Sequence, residues 1–408
     1  MRACSQPTSP SNLPSYWPMV IVAVLAMTLR PLMTSTGPLI EEIRLGTGIS
    51  LQVASLLTVL PMACMGVFPL LMPWLGKRLS ESAWITTGLI AIAIASMWRL
   101  WLGSGMSLMV STLLGGSGIA IVQSLAPGVV KRWYPSQVAL AMGIYSASLM
   151  AGGGLAATLS PQIAEHFGHW QLALGCWVVI PVIALLLWWF RPIERIEREN
   201  STAQVNFFGN RRAWLLGGYF GLANGGYACM IAWLPSYART LGFSSEHSGE
   251  LIGWMTIFQI IGALAVPIFA SANLDRRPWL RAAVGSQLIG FVGLLLLPSP
   301  LLMLWVAMIG CGLGACFSLT LTVALDHLSS PKLAGTLTAF VQGIGFIITA
   351  IIPYLAGVLL EWTGDFQTSW LMLIITLIAM LIVTHRFAPS GYAQAINAQA
   401  IHLPDMNK

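Results

Sequence analysis

Met27-Thr28-Leu29-Arg30-Pro31-Leu32-Met33-Thr34-Ser35-Thr36-Gly37-Pro38 lies inside an apolar run that extends from Trp17 to Leu39. A bilayer core is crossed by about 20 apolar residues in a helix, so this run is long enough to span. Arg30 falls a little past its midpoint. A guanidinium at that depth costs on the order of 3 kcal/mol on insertion scales. Arginine keeps its proton under essentially all conditions, so it cannot lower this cost by neutralising. Arg30 therefore requires a partner charge, water or an anionic ligand.

The composition places the rest of the chain in the same class. Of 408 residues, 56% are hydrophobic and 8% charged, whereas a soluble domain carries about 25% charged residues. No soluble core absorbs so much apolar sequence, and the lipid bilayer is the expected surrounding. The net charge is +6, but no basic patch is interleaved with surface aromatics, so nucleic acid is not an expected partner. Five of the six cysteines lie in apolar runs without metal-ligand spacing or a disulfide framework. Cys311 and Cys316 flank glycines and read as small packing residues. Residues 1–16 are mostly polar, and the apolar run that follows is too long for a cleavable signal.

Twelve apolar runs are predicted, near 17–39, 51–74, 83–102, 107–129, 138–160, 170–190, 213–235, 248–270, 279–298, 301–323, 333–356 and 370–388. The fold class is an all-α integral membrane protein of twelve transmembrane helices in two six-helix halves. With the N-terminus inside, Arg2, Lys77, Arg78, Lys131, Arg132, Arg276, Arg277 and Lys332 share one side, and Arg44 and Arg239 lie on the other. Arg99 lies near that other end of the third run. The positive-inside rule then puts both termini in the cytoplasm, and the expected location is the bacterial inner membrane. The expected organisation is an N-terminal segment 1–16, a first half 17–190, a cytoplasmic linker 191–212 with a short surface helix, a second half 213–388 and a tail 389–408. An offset of 196 residues brings successive runs of the halves into register, and pairs Gly116 with Gly312, Gly118 with Gly314 and Pro135 with Pro331. Two parallel six-helix repeats are a plan of secondary transporters, whose substrate site lies near the midplane between the halves.

Dense glycine in several runs suits close helix packing in lipid, and Pro31, Pro38, Pro61, Pro127, Pro235, Pro267 and Pro353 predict kinks. Near the midplane lie Arg30, Asn224, Gln259 and Gln342; Gln123 and Tyr145 lie toward the cytoplasmic side, and Tyr227 and Trp233 further out along the seventh run. Each amide has two readings, a helix–helix hydrogen bond or a ligand contact. No Asp or Glu lies near the middle of any run: Asp326 and Glu250 are near the ends of theirs. Arg30 therefore reads as meeting an anionic ligand. Histidines lie at run ends and in the tail, without a nucleophile or carboxylate arrangement, so an enzyme is not expected. No ATP-binding fingerprint is present and no cofactor is expected. A sensor would be expected to carry an appended soluble domain.

The sequence resembles the major facilitator superfamily and, within it, the cyanate transporter family, along nearly the whole chain. The residues that carry the resemblance are Arg30-Pro31-Leu32 through Gly37-Pro38-Leu39, Gly217-Gly218-Tyr219-Phe220-Gly221-Leu222 on through Asn224-Gly225-Gly226-Tyr227 to Ala232-Trp233-Leu234-Pro235, Ala324-Leu325-Asp326-His327, Gln342-Gly343-Ile344-Gly345-Phe346-Ile347 and Arg386-Phe387-Ala388-Pro389. Relatives in the same group are linked to 2-nitroimidazole-type compounds. Of the superfamily's signature between the second and third spans, Leu75-Gly76-Lys77-Arg78-Leu79 keeps the basic pair and lacks the acidic residue. Leu274-Asp275-Arg276-Arg277 is the better copy. The resemblance implies that spans 1, 2, 4, 5, 7, 8, 10 and 11 surround the cavity and that spans 3, 6, 9 and 12 stand outside. Gln287, in the ninth span, is then the exception among the polar residues. The expectation is a monomeric secondary transporter moving a small anion such as cyanate by alternating access. Arg30 would supply the charge, Asn224, Tyr227, Gln342, Gln123, Gln259 and Tyr145 polar contacts, and Trp233 a wall. The rival is a carrier or exporter of a small neutral heterocycle.

Overall fold

The computed structural model describes residues 16–75, 79–101, 103–191, 207–243 and 245–397. Among them all regular structure is helical. Twelve long segments follow in order: α1 (Trp17–Thr34), α2 (Leu51–Leu75), α3 (Glu81–Trp98), α4 (Gly105–Trp133), α5 (Val138–Phe167), α6 (Trp170–Trp189), α7 (Arg211–Thr240), α8 (Ser245–Ala270), α9 (Arg277–Leu296), α10 (Leu302–Asp326), α11 (Pro331–Thr363) and α12 (Gln367–Thr384). Ten helices among the described residues are both long and apolar enough to cross a membrane. Of the other two, α2 and α7, α7 has 30 residues and reaches about 45 Å, but its glycines, Asn224 and three arginines dilute its apolar character. The short surface helix expected in the linker and the Gly76-Lys77-Arg78 stretch lie outside the described residues.

α1 breaks at the stretch quoted first. Pro31 has no N–H to donate to the Met27 carbonyl, and Thr28 and Leu29 bond three residues back to Leu25 and Ala26 instead. The Thr28 hydroxyl also donates to the Leu25 carbonyl at 2.7 Å. Helix resumes for one turn at Pro31–Thr34. α5 accommodates the break with two glycines: a side chain on Gly152 would collide with the Met27 backbone, and one on Gly153 would come within 3.0 Å of Arg30 Cβ. α7 pairs with α11 as α1 pairs with α5, but runs unbroken.

The helix starts confirm the repeat: 17 and 211, 51 and 245, 81 and 277, 105 and 302, 138 and 331, 170 and 367. The glycine pairing, however, is crossed. Gly116 packs on α2 at Pro61 and Gly118 on α3 at Ile92, whereas Gly312 packs on α9 at Gln287 and Gly314 on α8 at Gln259. Two residues are about 200° apart on a helix, so the two glycines line opposite faces. Gly116 therefore corresponds in role to Gly314, and Gly118 to Gly312. In both halves the central helix lies between its two neighbours through these contacts. Gln287 belongs to the same seam: its Nε2 donates to the Ala283 carbonyl and to Cys316 Sγ, which gives it a packing role in α9.

The halves meet through α2 on α11, α5 on α8 and α10, and α4 on α10 and α11. Close approaches run from the basic end of the bundle to its middle. Gly128 of α4 lies against Gly335 of α11, Gly143 of α5 against Pro267 of α8, Gly66 of α2 against Ile347 of α11, and Gly154 of α5 against Thr256 of α8.

Candidate functional site

Arg30 sits on the break in α1 and is buried at 7% exposure. Its carbonyl accepts from the Met33 and Thr34 amides, which fixes the backbone of the turn. Thr34 Oγ1 donates to the Gly153 carbonyl at 2.9 Å and ties that turn to α5. The guanidinium carbon lies 5.9 Å from the centroid of the Tyr227 ring, which belongs to α7 in the other half. No carboxylate pairs with Arg30 among the described residues. A cation over an aromatic face is attracted by about 0.5–2 kcal/mol, which leaves most of the burial cost of Arg30 without compensation. Tyr145 of α5 is fully buried and its hydroxyl has no hydrogen-bond partner.

Asn224 occupies in α7 the place that Arg30 occupies in α1, each thirteen residues past its helix start at Arg211 or Trp17. It is buried, with Nδ2 donating to the Phe220 carbonyl one turn back. Gln342 of α11 reaches across the halves and donates from Nε2 to the Gln123 carbonyl of α4 at 3.2 Å. Gln342 Oε1 and both amide atoms of Gln123 have no partner although both residues are 1% exposed. Buried polar atoms are normally paired, so this pair of amides is open to water or ligand. Gln259 is buried on α8. Trp233 is engaged elsewhere: its indole nitrogen donates to the Pro353 carbonyl at 3.0 Å and its ring lies on Gly357, both of α11. The structure thus brings Arg30 and Tyr227 together, and joins Gln123 to Gln342. It commits Trp233 to α7–α11 packing.

Buried charges tie helices together at the basic end. Lys131 of α4 is buried and its ammonium donates to the Leu325 and Leu328 carbonyls at the end of α10, so it bridges the halves. Cations are stabilising at a helix C-terminus, where carbonyls are left without amide partners. Arg276 pairs with Asp326 at 3.2 Å and also donates to the Ala270 carbonyl. His327, at the end of α10, is 1% exposed. Its Nδ1 lies 2.7 Å from the Val323 carbonyl and its Nε2 accepts from Arg212 Nε at 3.0 Å. Tyr392 stacks on it at 4.0 Å between centroids. The segment around Tyr392 is held in turn by Asn210, whose Nδ2 donates to the Ala395 and Ile396 carbonyls. Burial pushes His327 down to about 4, so it is neutral at physiological pH.

Among the described residues no group of three His, Cys, Asp or Glu is arranged to hold a metal. The sequence matches the Major Facilitator Superfamily over residues 17–350. The chain belongs to the major facilitator superfamily. It is 40% identical over 378 residues to the cyanate transport protein CynX of Escherichia coli (strain K12), covering 92% of this chain and 98% of that one. It is 30% identical to the uncharacterized transporter YycB of Bacillus subtilis (strain 168), over 91% and 92% of the two chains. It is 27% identical to the 2-nitroimidazole transporter of E. coli (strain K12), over 88% and 92%. Among solved structures it resembles FucP in the outward conformation, with a TM-score of 0.74 at 14% identity over 92% of this chain and 100% of that one. It also resembles the proton:xylose symporter XylE, with a TM-score of 0.75 at 12% identity over 91% and 96%. At these identities the two structures speak for the fold. The protein is therefore a multi-pass membrane protein of a transporter superfamily, and its relatives are transporters and not enzymes.

Two residues of the region carried no usable signal in the sequence. Arg99, at the end of α3, looked interfacial and is fully buried beside the break in α1. Lys131, one of several basic residues at helix ends, gave no sign that it crosses to the other half.

Proposed function

We propose that the protein carries a small anion, cyanate first among the candidates, across the bacterial inner membrane by alternating access of its two halves. The carrying observation is Arg30, a buried guanidinium on a broken helix at the junction of the halves, facing Tyr227 and lacking a carboxylate partner among the described residues. An anion supplies the missing charge, and the planar fork of donors orients it. Cyanate is small and linear, with acceptors at both ends, and suits a site with one guanidinium and several amide and hydroxyl groups. The 40% identity to CynX over nearly its whole length supports this choice. The Lys131 bridge and the Gly128–Gly335 contact support a form closed at the basic end, with both termini in the cytoplasm by the positive-inside rule.

Uptake of labelled cyanate into proteoliposomes holding the purified protein tests the reading. Saturable uptake, competed by other small monovalent anions, is expected. A second reading, a neutral heterocycle, draws on the 27% identity to the 2-nitroimidazole transporter. Saturable uptake of 2-nitroimidazole with no competition by cyanate favours it and overturns the first.

A further inference from the structure

Arg99 is 0% exposed. Its Nη1 donates to the Leu32 carbonyl at 2.8 Å and its Nη2 to Thr112 Oγ1 of α4, also at 2.8 Å. Its Nε has no partner, and among the described residues no carboxylate pairs with it. Fully buried arginines are rare unless paired. Tying α3 to a carbonyl of α1 and a hydroxyl of α4 takes two N–H donors in a fixed fork, which the planar guanidinium supplies.

The location shows what the side chain holds. Leu32 lies two residues beyond Arg30, in the single turn of helix that follows the break. One turn of helix holds itself poorly, because nucleation fixes several residues for one hydrogen bond. Two long-range bonds hold this one: Thr34 to the Gly153 carbonyl on the α5 side, and Arg99 to the Leu32 carbonyl on the α3–α4 side. Gly115 of α4 lets the Leu32 side chain lie directly against that helix. Arg30 is thus suspended between two braces, and the second brace is itself a guanidinium.

We infer that Arg99, through the Leu32 carbonyl, is the residue that positions Arg30 for its anion. This rests on the anion-binding role proposed for Arg30. A positioning residue of this kind acts on affinity more than on the rate of the loaded carrier.

The experiment measures cyanate KM and maximal turnover in proteoliposomes for wild type, Arg99→Met, Arg99→Lys, Thr112→Val and Arg30→Gln. Arg99→Met is expected to raise KM at least tenfold with turnover within about twofold of wild type. Arg99→Lys, which keeps the charge and one reaching donor, is expected to recover part of the loss. Thr112→Val removes one acceptor of the guanidinium and is expected to raise KM about threefold; it decides the matter if Arg99→Met is not recovered folded. Wild-type KM in either Arg99→Met or Thr112→Val overturns the inference, as does a loss confined to turnover. If Arg30→Gln loses affinity and the Arg99 and Thr112 variants do not, only this inference falls. If Arg30→Gln keeps wild-type KM, or wild type does not carry cyanate, the anion reading falls and this inference with it.

Discussion

Replacing Lys131 with methionine keeps the aliphatic reach of the side chain and removes the bridge from α4 to the end of α10. Two carbonyls, Leu325 and Leu328, lose their ammonium donor. Hydrogen bonds to a charged group contribute about 1.5–3 kcal/mol each. Against this stands a desolvation penalty of several kcal/mol for a buried ion, which the closed form alone bears because opening rehydrates the ammonium. The net preference for closure is then about 1–2 kcal/mol, or roughly a tenfold shift in population for each 1.4 kcal/mol. Ala339 is a suitable reporter. It is buried and lies one turn after Gly335 and one turn before Gln342 on the face of α11 that meets α4. With Ala339→Cys in a cysteine-free background, maleimide labelling from the basic side is expected to be about tenfold faster when Lys131→Met is added. Lys131→Arg, which retains the donors, is expected to label slowly. Equal labelling rates with and without Lys131→Met, both proteins being folded, would refute the assignment of Lys131 as a bridge that holds this end shut.

Three further outcomes follow from the same geometry. Burial holds His327 near 4, below the roughly 6.5 of an exposed histidine. The unfolded chain therefore takes up the proton first, and stability is lost as pH falls from about 6.5 toward 4, by roughly 3 kcal/mol when complete. Thermal unfolding across that range is expected to show the loss in wild type and a flatter profile in His327→Gln, which still offers Arg212 an acceptor. Gly153→Ala pushes a methyl to within 3.0 Å of Arg30 Cβ, whereas Gly218→Ala enters open space. The first is expected to weaken anion binding several-fold in a folded protein. The second is expected to leave binding unchanged and to stabilise α7 by up to about 1 kcal/mol; binding assays on the two variants check the contrast. Single cysteines at Glu165 and Lys332, both exposed, are expected to label from opposite faces of the membrane; labelling from one face contradicts the orientation.

The spans were legible because a bilayer demands long apolar runs, and the repeat because both halves meet that demand at one spacing. Arg30 was legible because a charge inside such a run is expensive. The break beneath it was half legible: Pro31 announced a kink, but the glycines of α5 that admit the Met27 backbone and the Arg30 side chain lie over 100 residues away. Arg99 and Lys131 were not legible, because each lies near a helix end, where a long basic side chain usually reaches the interface. Only the packing of α1 on α3 and α4, and of α4 on α10, shows that these two turn inward. His327 was hidden for a similar reason: the turn that carries Tyr392 and covers it comes from the end of the chain. Trp233 and Gln287 show the opposite ambiguity. A polar tip on an apolar helix reads alike whether it meets a ligand or a neighbouring carbonyl, and here both meet neighbours.

The central claim is that Arg30 binds the transported anion. Purified Arg30→Gln, compared with wild type for melting temperature and for cyanate affinity, tests it most directly. If the guanidinium serves the ligand, removing a buried charge without a carboxylate partner leaves the melting temperature at or above that of wild type, and cyanate binding is lost. Wild-type cyanate affinity in Arg30→Gln contradicts the account. A lower melting temperature with retained affinity assigns Arg30 instead to a structural ion pair, since breaking such a pair leaves an uncompensated charge behind.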